Sequence, residues 1–286
     1  MRAVSLHSDV IVVTSQLLQA HCTIIRGPGG EEAFVVDSPV LPEELELLPS
    51  LLAQAGFPQV RGLLATHADW DHLLARIAFP QAPLGCAEST AARLRAAPGA
   101  AQRELRAFDQ ELLIERARPL ALGSIQALAV PGRCRIENSD LELHGADGHT
   151  PDGMAVWIPW ASVLIAGDYL SPVEIPTIAP TTIGPTAIGP TAIGPATIAP
   201  AVGQADAIDA YLATLERLSP LVARASHVVP GHGPIMKGAR AHAVLEEDRA
   251  YLQQLSERGL EAVLPAGRRN AEQRRLHGEN VAHIRA

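Results

Sequence analysis

The chain has 286 residues, 47% hydrophobic and 19% charged, so it can bury a large core and lacks the composition of a disordered chain. Its 23 basic and 31 acidic residues give a net charge of −8 with no block of like charge, which argues against a nucleic-acid or anionic-membrane partner. A small-molecule substrate is the expected partner, and the composition leaves the oligomeric state open, a dimer included. Cys22, Cys86 and Cys134 are odd in number and lack C-x-x-C spacing, as in a reducing compartment. Met1 to Ser15 has no secretory pattern and no apolar run reaches membrane-spanning length, so a cytoplasmic protein is expected.

In chain order, Val10 to Thr14, Cys22 to Ile25 and Ala33 to Val36 read as strands of an antiparallel meander. Asp37 follows the last of them, either orienting a neighbour or forming a turn. Leu45, Leu48, Leu51, Leu52 and Ala55 share one face of a helix opened by Pro42-Glu43-Glu44 and closed by Gly56. Gly62 to Ala65 is a short buried strand leading into Thr66-His67-Ala68-Asp69-Trp70-Asp71-His72. Continued strand alternation would put His67, Asp69 and Asp71 on one side, with His72 reaching round from a turn. Two imidazoles and two carboxylates packed so closely suggest a metal site. The competing reading is a polar helix start capped by Asp69 or Asp71.

Helices are expected over Glu88 to Ala97 and Ala101 to Phe108, and strands over Ile125 to Val130, Leu141 to His144, Val156 to Ile158 and Ser162 to Ala166. His149 lies in the loop Gly145 to Gly153, and Asp168 closes an apolar strand. Residues 173–203 repeat Ile-Ala/Gly-Pro, with Pro180, Pro185, Pro190, Pro195 and Pro200 in step. That spacing excludes a helix, and period five matches neither a strand nor a polyproline helix. A permissive surface insertion is favoured over a lid or wall beside Asp168. Ile208 to Leu218 has helical spacing ended by Ser219-Pro220. A strand through His227 to Pro230 leads into Gly231-His232-Gly233-Pro234, whose glycines let the backbone bring His232 close to other ligands. Ala241 to Gln254 is a helix, and 256–286 is a helical tail in which His277 and Asn280 could approach the pocket, though a helix end or the surface is the favoured place for them.

In this order, His67/Asp69/Asp71/His72, His149, Asp168 and His232 resemble the metallo-β-lactamase superfamily. Its pattern is H-x-H-x-D-H, a histidine in an H-T-P-G-like loop, a bridging aspartate after a strand, and a histidine in P-G-H-G. The resemblance spans nearly the whole chain and implies one α/β domain, the four-layer αββα sandwich of the metallo-β-lactamase fold. It implies His67, Asp69 and His149 as ligands of one metal and Asp71, His72 and His232 as ligands of a second, with Asp168 bridging. His144 competes with His149 less well. His7, His21, His227, His242 and His283 match nothing and are expected to be surface or hydrogen-bonded residues.

Asp69 departs from the pattern, standing where the second motif histidine would be. With Asp71, Asp168 and a hydroxide it would neutralise two divalent cations, making the first metal a weaker Lewis acid. Two divalent ions are implied, zinc first, with manganese or iron gaining from the harder ligand. The implied activity is hydrolysis of a small ester, thioester or lactone, with Asp71 as catalytic proton acceptor. Tyr169 is a candidate oxyanion donor, against packing of its ring. Trp70 is expected to pack on the sheet. The competing activities are iron-dependent sulfur oxygenation and, on the same fold, phosphodiester hydrolysis or weakly active ligand binding.

Overall fold

The computed structural model describes residues 1–178 and 204–285. The first sheet has seven strands in sequence order: β1 (Arg2–His7), β2 (Val10–Thr14), β3 (His21–Arg26), β4 (Ala33–Asp37), β5 (Val60–Leu64), β6 (Leu84–Ala87) and β7 (Ile125–Leu128). The first four pair antiparallel and the rest join in parallel. The second sheet has six strands: β8 (Gly132–Ile136), β9 (Ser139–Gly145), β10 (Met154–Ile158), β11 (Val163–Gly167), β12 (His227–Pro230) and β13 (Met236–Lys237). Its one parallel pair is β11 with β12.

Strand alternation explains the layers. In β10, Met154, Val156 and Ile158 face the first sheet while Ala155 and Trp157 face helices; in β11, Val163 and Ile165 face inward while Leu164 and Ala166 face the helices. Val10, Val12, Ile25, Val36 and Leu64 complete the seam from the other sheet. The outer face of the first sheet is covered by α1 (Pro42–Gln54), α2 (Ala75–Ala78), α3 (Glu88–Ala96) and α4 (Ala100–Leu112). The outer face of the second is covered by α5 (Gln204–Arg224), α6 (Gly238–Arg258) and α7 (Ala271–Arg285). The result is the expected four-layer αββα sandwich, and no helix among the described residues is long and apolar enough to cross a membrane.

Three expectations need correction. The strand before the histidine motif ends at Leu64, and the ligands leave it through a bend and the 3-10 turn Trp70–His72, so strand alternation does not aim them. Asp69 sits at the N-cap position of that turn, yet its side chain makes no capping hydrogen bond, which also disposes of the helix-cap reading. Helix α5 does not stop at Pro220 but runs on to Arg224. An interior proline costs about 3 kcal/mol, whereas burying Leu221 and Val222, both nearly inaccessible, returns about 1.5–3 kcal/mol each.

Of the repeat region, residues 173–178 are described and are not a permissive surface stretch: Ile175, Pro176, Thr177 and Ile178 are buried. The remaining prolines and isoleucines of the repeat lie outside the described residues. The tail holds this stretch in place. Gln273 accepts from the Ile175 N–H at 2.7 Å, Asn280 accepts from the Ile178 N–H at 3.0 Å, and the Asn280 amide donates to the Pro176 carbonyl at 2.8 Å. The buried Arg268 guanidinium donates to the Ser171 and Glu174 carbonyls and pairs with Asp248. His277, also buried, meets the Tyr251 hydroxyl at 3.0 Å. Asn280 is therefore an interior fastener rather than a surface or helix-end residue, because the 173–178 stretch supplies backbone groups that must be satisfied, and His277 is interior too, bonded to Tyr251 of α6.

Candidate metal centre

The candidate residues converge where strands of both sheets end. Asp37 closes β4, the Thr66–His72 stretch follows β5, His149 lies between β9 and β10, Asp168 follows β11, and His232 follows β12. The two sheets are tied there by an isolated bridge between Ala20 and His232 and by the His21 N–H donating to the Gly231 carbonyl at 2.8 Å. Gly231 is required by close approach: a Cβ on it would sit 1.9 Å from Asp168 Oδ1. Any larger residue would push the strand end away from the carboxylate.

Three groups of ligand atoms each lie within 4.8 Å of one another: His67, Asp69 and His149; Asp71, His72 and His232; and His67, His72 and Asp168. Asp168 stands between the first two. Its Oδ2 lies 3.6 Å from His67 Nε2 and 3.4 Å from His149 Nε2, while its Oδ1 lies 3.2 Å from His72 Nε2 and 3.4 Å from His232 Nε2. Asp69 Oδ2 is 3.6 Å from His67 Nε2, and Asp71 Oδ2 is 3.3 Å from His232 Nε2. His144 belongs to no group and lies 3.6 Å from Glu142.

The inner atoms fit metal ions. His67 Nε2, His72 Nε2, both nitrogens of His149, both oxygens of Asp71 and Asp168 Oδ1 are buried without a hydrogen-bond partner. Leaving such atoms unpaired costs about 1–3 kcal/mol each, so their convergence calls for cations. The outer nitrogens are engaged instead. His72 Nδ1 lies 3.0 Å from Asp37 Oδ2, His232 Nδ1 lies 3.0 Å from the Leu18 carbonyl, and His67 Nδ1 lies 3.1 Å from the Thr66 hydroxyl. Such outer bonds fix the ring and leave Nε2 free for an ion. Asp37 also accepts from the Thr66 N–H at 2.8 Å and its hydroxyl at 2.9 Å, so of the two roles considered for it, the structure shows the orienting one.

The charges are strongly coupled. Burial opposes protonation of His72 and His232, but Asp168 and the other nearby carboxylates outweigh it and raise both well above the ordinary imidazole value. Burial likewise opposes ionisation of Asp168, which the facing histidines nonetheless hold well below the usual carboxylate range. His149 is lowered, mainly by burial. His21 is buried and bonded at 2.7 Å to the Pro230 carbonyl, and burial pulls it down to about 4; it is the hydrogen-bonded histidine expected.

Tyr169, the candidate oxyanion donor, is buried, and the bonds its hydroxyl makes are those of an acceptor. It accepts the Gly148 N–H at 2.6 Å and the His149 N–H at 2.7 Å, so it holds the loop that carries His149. Trp70 is buried in the core between the first sheet and its helices, with its ring on Phe108 of α4 at 4.5 Å between centroids. Two residues not anticipated from sequence belong to the site. Arg93 on α3 donates to Asp69 Oδ1 at 2.7 Å and to Asp152 Oδ1 at 2.8 Å, and Asp152 Oδ2 accepts the Ala68 N–H at 3.0 Å. Arg93 carries no local motif, but Asp152 follows His149-Thr150-Pro151 where the family loop has glycine, and that acidic departure was readable. A further cavity of about 250 Å³ beside His149 and Asp168 is lined by Ser171, Glu174, Thr177 and Tyr211, among others. Burial raises the Glu174 carboxyl to about 7.

This convergence of ligands at the ends of two packed sheets agrees with the sequence comparison, in which residues 16–232 match the Metallo-beta-lactamase superfamily. The chain belongs to that superfamily. Among solved structures, a metallo-beta-lactamase family protein from Thermus thermophilus is 21% identical with a TM-score of 0.66, covering 98% of this chain and 93% of that one. The sec-alkylsulfatase Pisa1 from Pseudomonas sp. is 14% identical with a TM-score of 0.68, covering 99% of this chain and 49% of that one. A metallo-beta-lactamase from Pontibacter korlensis is 18% identical with a TM-score of 0.54, covering 86% and 98%. At these identities the superfamily likeness is one of fold. No curated protein sequence matches the chain.

Proposed function

We propose that this superfamily member is a cytoplasmic, metal-dependent hydrolase with a dinuclear centre acting on a small ester, thioester or lactone. The observation that carries the reading is the carboxylate of Asp168, whose two oxygens face two separate ligand sets. His67, Asp69 and His149 would hold one ion, and Asp71, His72 and His232 the other. Zinc suits a set of imidazoles and carboxylates best, and manganese or iron are the alternatives. Two divalent ions bound there would acidify a water and polarise the scissile oxygen.

The chain's own residues supply the rest. Asp71, almost fully buried with neither carboxylate oxygen hydrogen-bonded, would accept the proton released when water attacks. Tyr169, through the backbone of His149, keeps that ligand turned inward. The adjoining cavity beside His149 and Asp168 is small, which favours a compact substrate. Nothing in its lining selects among acyl classes, so the test is a panel of esters, thioesters, lactones and phosphodiesters on zinc-loaded protein. A sulfate ester belongs in the panel because an alkylsulfatase shares the fold. Turnover of an acyl substrate that stops with chelator and returns with zinc is expected. No turnover of any substrate with two ions bound would overturn the hydrolase reading.

A further inference from the structure

Asp69 replaces a neutral histidine with a carboxylate and so brings an extra negative charge into a site already holding Asp71 and Asp168. Its Oδ2 faces His67 and His149, while its Oδ1 receives one arm of the Arg93 guanidinium at 2.7 Å. The other arm goes to Asp152 at 2.8 Å, and Asp152 Oδ2 takes the Ala68 N–H, between His67 and Asp69. The chain thus closes a bracket around the motif: Arg93 from α3, Asp152 from the His149 loop, and the backbone of the motif itself. Asp69 and Asp152 are almost fully buried, with side-chain exposures of 5% and 1%. Two such carboxylates without a cation between them would repel, which separates this pair from an ordinary surface ion bridge.

We infer that Arg93 is the positioning residue that makes an aspartate workable at this place in the motif. It occupies Oδ1, so that Asp69 offers a single oxygen, Oδ2, to an ion. Its positive charge also faces the negative charge that the histidine-to-aspartate change adds. Asp69, Arg93 and Asp152 together carry one net negative charge, so the first ion sees one negative charge more than with histidine and glycine at these places, rather than two. The charge count drawn from the sequence omitted both Arg93 and Asp152, whose charges cancel one another, so that count is unchanged by them. The planar two-armed guanidinium suits this bracket, whereas a lysine would satisfy one carboxylate at a time.

The inference rests on the dinuclear reading above, and a double-mutant cycle separates the two. Zinc affinity and stoichiometry are measured by chelator competition on the full chain for the native protein, Arg93→Met, Asp69→His, and both together. With Asp69 present, Arg93→Met should weaken one of two zinc sites by about 10–100-fold, the usual effect of losing a partner that orients a ligand. With histidine at 69 the same change should alter zinc affinity by less than about threefold, because the guanidinium then holds Asp152 but no metal ligand. Arg93→Lys should fall between native and Arg93→Met, and serves if the methionine variant melts early without metal. Equal losses in both backgrounds, or no loss with Asp69 present, would overturn the role of Arg93 while leaving the two-ion reading intact. A native protein that takes up no zinc would overturn both.

Discussion

Asp37→Asn tests how the second ligand set is built. Asp37 has a positive φ of 57°, a conformation asparagine tolerates well, so the substitution preserves backbone and shape. Its Oδ1 accepts the Thr66 N–H, which fixes the amide oxygen of the variant at that position. The amide nitrogen then falls where Oδ2 now meets His72 Nδ1 at 3.0 Å. An N–H facing an N–H is repulsive, so His72 must move its proton to Nε2, the atom that faces Asp168. The nitrogen needed for an ion is then blocked. Loss of such a partner typically weakens metal binding about 10–100-fold, or about 1.4–2.8 kcal/mol. Chelator competition with zinc should show one weakened site and one unchanged site, with little change in melting of the metal-free protein. Native affinity at both sites would refute the claim that Asp37 sets the His72 tautomer.

Gly231→Ala should displace Asp168, since the added methyl carbon would lie 1.9 Å from its Oδ1; the expected result is loss of both zinc equivalents in a folded protein, read by metal analysis and circular dichroism. Tyr169→Phe leaves the Gly148 and His149 N–H groups without their acceptor and should cost about 1–3 kcal/mol in a denaturation titration. An unchanged midpoint would contradict the loop-holding role. The imidazoles of His72 and His232 are raised above 6.5 in the metal-free protein, so protons compete with zinc from above that pH, and zinc affinity should already be falling as pH drops towards 6.5. Their contribution to metal-free stability is fully present below 6.5 and is lost as pH rises through the raised values. These imidazoles should therefore make metal-free melting lower at pH 8 than at pH 6, and constant zinc affinity across that range would contradict the shifts.

Most of the sandwich was legible because its strands are short apolar runs bounded by turn residues. The amphipathic α1 and α6 were legible because leucines and alanines recur at helical spacing. The convergence of candidate ligands was legible because the family order of histidines and aspartates survives in His67, Asp71, His72, His149, Asp168 and His232. Arg93 was not, because a guanidinium on a helix has no local pattern, and only the folded chain brings it to Asp69. Strand β1 lacks a clear apolar face, Ser5 being polar and exposed and His7 polar and only partly covered, so nothing marked it in the sequence. Helix α5 runs past Pro220 because burial of Leu221 and Val222 overrides a local breaker, a tertiary effect invisible in a short window. The residues after Asp168 read as a repeat, whereas the buried Ile175 and Ile178 are fixed by Gln273 and Asn280 nearly a hundred positions away.

Anomalous diffraction at the zinc edge from crystals of the zinc-loaded protein tests the central claim most directly. Two peaks are expected, one on each side of the Asp168 carboxylate, at ligand distances of about 2.0–2.2 Å. One should contact His67, His149 and a single oxygen of Asp69, and the other Asp71, His72 and His232. A single peak, or two peaks with Asp168 touching only one of them, would contradict a carboxylate-bridged pair.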